Sequence, residues 1–263
     1  MGRGQVSLFV IIGVVLLIIV GLAIFLISSS KKDDAEVNIP KKGYNAITYF
    51  IDTCMDSSLK KSTIELFEHG FFLYLDESSP AVYKISEFET RTGLAGKLVP
   101  YYLTQDYVIF PLEIELSSTY SNIFKNHFSN CVKGIDAFGE QGFTFEKGEI
   151  SVKSTFNDKD VLVEVNWPLV IIDGDIKYSE QKFSKLFEYP IKEKYLLVKN
   201  YVDYQAAEEE YFQMGYLAYL SHVHNFLYEA FYLGENYSLI KMEFPDFEYE
   251  YGDKLILPFV VKA

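Results

Sequence analysis

The hydrophobic positions of the chain begin with one uninterrupted run near its start. The twenty residues from Leu8 to Ile27 carry no charge. As a helix rising about 1.5 Å per residue they would reach roughly 30 Å, the thickness of the hydrocarbon core of a bilayer. A helix of a soluble protein is rarely apolar on every side. The run therefore predicts a transmembrane helix within residues 5–30.

A removable secretory signal is the alternative for this run. Ser28 and Ser30 could serve as the small residues of a cleavage site before Lys31. The run is longer than the apolar region of roughly 7–15 residues that such signals contain. With either alternative, residues 31–263 would lie outside the membrane.

Two helical patterns follow a short charged stalk at residues 31–43. Apolar residues then recur at intervals of three and four, which predicts a helix over about 44–68 that ends at Gly70. A second helix is predicted from Pro111 to Cys131, with acidic residues in its first turn and Gly134 as its stop.

Alternating apolar and polar residues predict strands in the middle of the chain. Residues 148–156 and 160–172 alternate, and Asp173-Gly174 marks a tight hairpin into residues 175–190. The pattern is that of an antiparallel meander, in which Pro168 indicates an edge or a bulge. Before it, three short β-prone runs read FFLYL, AVYKI and LVPYYL.

The longest helical pattern runs from Ile191 to Phe231, and its apolar stripe is expected to lie across a sheet face. Two further strands are predicted at residues 237–244 and 254–261. The predicted fold class is therefore α+β: an N-terminal transmembrane helix, followed by a domain over residues 44–263 in which an antiparallel β-sheet packs against helices.

Composition and charge exclude several classes of protein. Hydrophobic residues make up 49% of the 263, so the bulk of the chain is expected to be folded rather than disordered. The net charge is −13, and no Lys/Arg-rich face is present to neutralise a row of phosphates. We therefore expect no nucleic-acid partner.

Cys54 and Cys131 are the only cysteines, and each falls on the inward face of a predicted helix. An exported protein meets oxidising conditions, in which a pair of cysteines favours a single disulfide. Two separate buried thiols are the alternative.

The sequence contains only weak candidates for metal-binding or catalytic residues. His222 and His224 invite a metal site, but residues two apart on a helix point in opposing directions. Glu208-Glu209-Glu210 is typical of a solvated helix face. His69 and His127 lack a ligand pattern, and the acidic residues of the predicted turns fit ordinary turn chemistry better than Ca²⁺ binding. These acidic residues are Asp158, Asp160, Asp173 and Asp175.

No catalytic or nucleotide-binding motif is present, so no catalytic residue, cofactor or metal site is predicted and we expect no enzyme. Asn236-Tyr237-Ser238 is a single possible N-glycosylation site at Asn236.

The start of the chain, Arg3-Gly4-Gln5-Val6-Ser7, resembles an archaeal class III signal peptide, the type found in type IV pilins and their relatives. The resemblance implies a four-residue leader, residues 1–4, and cleavage between Gly4 and Gln5. Pilins commonly carry Glu at the fifth mature position, where this chain has Phe9. An anchor has no need of a carboxylate in lipid, so Phe9 fits an anchor better than a filament subunit.

The overall layout resembles uncharacterised single-span surface proteins of small-genome archaea, and this resemblance implies topology only. The count of Lys and Arg on the two sides of the span favours the opposite orientation. The leader and the cysteines favour an exterior C-terminal domain, and we prefer that orientation.

The sequence therefore predicts a membrane-anchored cell-surface protein with a structural or binding role. Its expected partners are the lipid bilayer and either other envelope proteins or further copies of itself. A type IV pilin-like filament subunit and an ectoenzyme with an unrecognised site are the alternatives.

Overall fold

The structure, a computed structural model, describes residues 42–86, 92–104, 107–207, 211–234, 236–247 and 254–262. The predicted leader, the predicted span and almost all of the predicted stalk lie outside these ranges. None of the helices in the described part of the chain is both long enough and apolar enough to cross a membrane.

The described residues form an α+β fold with antiparallel sheets, as the alternating and helical patterns predict. The helices are α1 (Lys42–Glu68), α2 (Glu113–Cys131), α3 (Ile191–Ala207) and α4 (Met214–His224), and a 3₁₀ helix (Val132–Gln141) continues α2. The strands are β1 (Val82–Lys84), β2 (Leu98–Pro100), β3 (Phe143–Lys147), β4 (Ser151–Phe156), β5 (Val161–Asp173), β6 (Ile176–Phe187), β7 (Leu227–Gly234), β8 (Tyr237–Phe244) and β9 (Leu255–Lys262).

The long strand β5 organises the first sheet. It pairs with β6 on one side, and on the other side with β4 and β3, which lie end to end along it. Alternate residues of β5, from Val161 to Ile171, are buried. Trp167 of this face meets Phe128 of α2, with ring centroids 6.0 Å apart. The predicted meander and the hairpin at Asp173-Gly174 are confirmed.

The expected irregularity at Pro168 is present as a bulge. The register of β5 against β6 shifts between Asn166 and Leu169. Proline has no N–H to donate, so it fits a central strand only where the ladder is interrupted. On the other side, Pro168 faces the gap between β3 and β4, where the N–H of Gly148 donates to the Pro168 carbonyl at 2.6 Å.

The second sheet has the strand order β7-β8-β9, and it includes both strands predicted near the end of the chain. Residues 101–103 extend along the outer side of β9, with the N–H of Tyr102 donating to the carbonyl of Val260 at 2.9 Å. Helix α3 contributes Tyr201 against Phe259 of β9. The β1–β2 hairpin packs Ile85 against buried residues of the sheet.

Helix α1 ends as predicted at Gly70, but the strand expected for FFLYL is absent. Gly70 and Phe71 both have positive φ angles, 60° and 64°. The N–H of Phe71 donates to the carbonyl of Leu66 and the N–H of Gly70 to that of Phe67, which is the Schellman motif. The chain leaves this motif as a loop rather than as a strand.

The single helix predicted from Ile191 to Phe231 is wrong, because the pattern divides into α3, α4 and β7. After α3, the Gln205 side chain accepts the N–H of Gln213 at 2.9 Å and donates to the Tyr211 carbonyl at 3.1 Å. After α4, Asn225 takes a left-handed conformation with φ 49°. The second predicted α-helix ends at Cys131 as expected, but Gly134 is not a stop, because the 3₁₀ helix runs through it to Gln141 and ends before Gly142, which has φ 95°.

Candidate functional site

The two cysteines are bonded in the structure. Cys54 is buried on α1 and Cys131 is the last residue of α2; their Cα atoms are 5.6 Å apart and they are separated by 77 positions along the chain. Closing a loop of this length stabilises a fold by about 4 kcal/mol in the chain-entropy model. The bond fixes α1 to α2 beside the first sheet.

A cleft of about 630 Å³ lies between α2 and the edge strand β4. We call it the α2–β4 cleft. One wall is the run Val152–Phe156, and the other is the exposed face of the first turns of α2. Most of the residues that line it are of polar type, and they include Ser118, Asn122 and Lys153.

Three serines hold the two walls of this cleft together. The N–H of Ser154 donates to Oγ of Ser121 at 2.9 Å, and Oγ of Ser154 donates to the Ser117 carbonyl at 2.7 Å. Oγ of Ser121 also donates to the Ser117 carbonyl, at 2.7 Å. Small side chains allow this close approach of helix and strand. The hydroxyls are engaged in the fold, so they are poorly placed to act as nucleophiles.

Charge at the cleft comes from lysines and one acidic residue. Nζ of Lys192 lies 3.0 Å from Glu113, in the first turn of α2. The hydrogen bond to Glu113 and its negative charge raise the pKa of Lys192. The residues that line the cleft include no histidine and no cysteine. The titratable groups of the cleft are thus the Glu113 carboxylate, which is paired with Lys192, and the two lysines.

A second cleft, of about 510 Å³, lies on the other side of α2 and is lined by residues 72–76 together with Glu115 and Ser118. The first turns of α2 thus form a ridge between two clefts. Ile114 on this ridge is 84% exposed and Leu112 is 61% exposed. The two exposed apolar side chains between two clefts make this ridge the candidate for a binding surface.

His127 pairs with an acidic residue of α1. Its Nε2 lies 2.7 Å from Oε2 of Glu65. The hydrogen bond from His127 lowers the pKa of Glu65, and burial opposes that shift. This pair connects α1 and α2 a second time.

The other residues singled out from the sequence do not converge. His222 is exposed, whereas Nδ1 of His224 lies 3.7 Å from Oε1 of Glu193. No group of three or more His, Cys, Asp or Glu residues suited to a metal occurs within the described ranges.

The acidic turn residues lie at opposite ends of β5, so they cannot share one ion. Asp160 closes the β4–β5 turn, where its carboxylate accepts a hydrogen bond from the Asn157 side chain at 2.6 Å. Asp173 and Asp175 flank Gly174 in the β5–β6 turn. Glu208-Glu209-Glu210 and the predicted cleavage site Gly4-Gln5 lie outside the described residues.

Asn236 is exposed in the turn that leads into β8, where its φ angle is 64°. The Ser238 of its sequon is buried in the strand, 8% exposed. The acceptor amide of a glycosylation site is therefore accessible in the folded domain, while the rest of the sequon is part of the second sheet.

A buried polar cluster at the start of α3 carries no signal in the sequence. The Lys194 side chain is 4% exposed, and its Nζ lies 2.9 Å from Oδ2 of Asp246 and over the ring of Phe244. The hydroxyl of Tyr189 donates to Oδ1 of Asp246 at 3.2 Å. Burial first, and then the charge of Asp246, raise the pKa of Tyr189.

Comparison with known proteins assigns neither a family nor a function to the chain. No protein-family model, no curated protein and no solved structure matches the chain. The α2–β4 cleft and the ridge beside it are therefore our candidate binding site, on geometry alone.

Proposed function

We propose that this chain is a membrane-anchored cell-surface protein with a structural or binding role. Residues 5–30 form the anchor, and residues 44–263 form the exterior domain. The observation that carries the proposal is the bond between Cys54 and Cys131, within a domain that follows twenty uncharged apolar residues. Such bonds persist in oxidising compartments and are rare in the cytosol.

The α2–β4 cleft supports binding rather than catalysis. Its inner serines hold the helix to the strand, and its carboxylate, Glu113, is paired with Lys192 rather than with a hydroxyl. The side chains of Ser118, Asn122 and Lys153 are exposed beside the apolar Ile114. A polar segment of another envelope protein, with an apolar residue to cover Ile114, fits this surface.

The test is the mass of the mature full-length chain after thiols are trapped in intact cells. Cells are quenched with acid and alkylated with N-ethylmaleimide under denaturing conditions, without reductant. We expect no adduct and a mass two hydrogens below that of the dithiol. The same spectrum reports whether the chain begins at Met1, Gln5 or Lys31. Two adducts on the native chain would place its cysteines in a reducing compartment and contradict the proposal.

The Cys54→Ser variant is the matched control, because Cys131 then remains as a lone thiol. This variant has to gain one adduct, which shows that the reagent reaches a cysteine at the end of α2. A second arm treats intact cells with a membrane-impermeant amine reagent. Lysines of the exterior domain should react without lysis, at the same extent as in broken cells. Labelling that requires lysis would place the domain inside.

A further inference from the structure

Edge strands expose unpaired backbone N–H and C=O groups, and proteins protect them against other chains. Most of the edge strands among the described residues are protected against pairing with another chain. Ser121 covers the outer side of β4, and residues 101–103 cover β9. The outer side of β3 contacts the 3₁₀ helix, whose Asp136 pairs with Lys147 of the strand. Strand β6 carries lysines, a common protection of open edges: Lys177, Lys182 and Lys185.

Strand β7 lacks such protection within the described residues. Its sequence LYEAFYLG contains neither lysine nor proline, and it pairs with β8 alone. The irregularity in its register comes only near its end, between Tyr232 and Gly234. Among the described residues, no backbone–backbone hydrogen bond joins β7 to a segment other than β8. Leu227 is 59% exposed and Tyr232 is 66% exposed.

We propose that β7 pairs with β7 of a second copy of this chain. The two strands run antiparallel about a twofold axis and join two three-stranded sheets into one of six strands. An antiparallel edge is complementary to itself, because each copy offers the same alternation of donors and acceptors. This inference goes beyond the proposed function and does not depend on where the chain resides.

The charges at this edge are compatible with a second copy. Two chains that each carry −13 repel one another overall, and the repulsion is weakest where the touching surfaces are neutral. The single charge of β7, Glu229, is paired with Lys241 of β8 at 2.6 Å. Two copies can therefore pair through β7 without bringing unpaired like charges together. Helix α4, which precedes β7 in the chain, contains no Asp, Glu, Lys or Arg, and it exposes Tyr219 and Val223.

The contact is modest in size. One strand pair and a few exposed side chains bury less than the roughly 800 Å² per partner of a standard stable interface. We therefore expect a dimer that dissociates on dilution.

The first test is hydrogen exchange of the full-length chain in detergent micelles at two protein concentrations. We expect the outward-facing amides of β7 to be protected at the high concentration and to lose that protection on dilution. The amides of β8 should exchange equally at both concentrations. Light scattering at the same concentrations should give the mass of two chains and of one. Exchange of β7 that does not depend on concentration would overturn the proposal, even if the chains associate elsewhere.

The second test places lysines on the edge. In the double variant Leu227→Lys/Tyr232→Lys both new side chains occupy exposed positions, so the fold should be retained. We expect the dimer dissociation constant to rise at least tenfold. Tyr49→Lys, at an exposed position on α1 outside both clefts, is the control for an added lysine and should leave the constant unchanged. A dimer that tolerates the double variant, or that is lost equally in the control, contradicts pairing through β7.

Discussion

At the scale of single residues, Gly70 tolerates the least change. It has a φ angle of 60°, and an added Cβ would lie 2.5 Å from Cγ of Pro100 and 2.6 Å from the hydroxyl of Tyr102. A left-handed conformation costs an L-residue about 1–2 kcal/mol, and overpacking costs a further 1–3 kcal/mol. We expect Gly70→Ala to lower the free energy of unfolding by about 2–5 kcal/mol, measured by urea denaturation.

Gly174→Ala separates these two costs. Gly174 has nearly the same φ angle, 59°, but nothing lies within 4 Å of its added Cβ. This variant should lose only about 1 kcal/mol, the conformational cost. Equal losses in both variants would show that the contact with Pro100 is relieved at no cost.

Replacement of Lys194 tests how much its buried ion pair contributes to the free energy of unfolding. Lys194→Met keeps the apolar length of the side chain and leaves the Asp246 carboxylate without its cation. Because Asp246 is partly exposed, we expect a loss of about 1–2 kcal/mol in urea denaturation, below the cost of a fully buried broken pair. Lys199→Met removes the exposed pair with Asp203 and should cost about 0.3–0.5 kcal/mol. Similar losses for the two variants would contradict a special role for Lys194.

The structural role of a single residue could be predicted where its covalent structure restricts the backbone conformation. Pro168 indicated a bulge because it cannot donate a hydrogen bond, and Gly70 indicated a helix end. Phe71 carried no such signal, since a left-handed phenylalanine is held only by its surroundings. Lys194 could not be found either, because its partner Asp246 is distant in sequence.

At the scale of elements, α2 and β4 depend on one another through Ser121. Ser121→Ala leaves the N–H of Ser154 without its acceptor, which costs about 1–2 kcal/mol for a buried donor. We also expect faster hydrogen exchange at the Ser154 amide. Ser118→Ala on the same helix removes only a bond to its own helix, from Oγ to the Glu115 carbonyl, and should change neither quantity. An unchanged Ser154 amide in the Ser121 variant would contradict this account of the edge.

The pattern of apolar and polar residues identified seven elements: α1, α2, β4, β5, β6, β8 and β9. It failed for Ile191–Phe231 because the apolar spacing continues across two chain reversals. Those reversals are set by the Gln205 side chain and by Asn225, whose partners are known only from the folded chain. It also missed β3, a five-residue strand that pairs with the far end of β5.

At the scale of the whole molecule, the disulfide is expected to decide stability. The double variant Cys54→Ser/Cys131→Ser should lose about 4 kcal/mol of the free energy of unfolding in urea, because its unfolded chain is no longer cross-linked. Reductant should destabilise the native chain to the same extent and leave the double variant unchanged. A native chain that is equally stable with and without reductant would contradict this expectation.

The α+β class and the antiparallel sheets followed from the sequence, whereas the candidate binding site did not. The walls of the α2–β4 cleft come from segments more than thirty positions apart, such as Ser121 and Ser154. Hydroxyl residues at that separation form no pattern in a sequence. The unprotected edge of β7 could not be predicted either, because the sequence pattern indicated a helix over most of this strand.

The position of the disulfide along the chain sets an order of events during synthesis. Both cysteines precede β3 in the chain, and Cys131 lies about ninety-five positions before the first strand of the second sheet. In an exported chain the covalent link can therefore form before β7–β9 have been completed. The nascent domain would then assemble its second sheet against a pair of helices that has already been tied together.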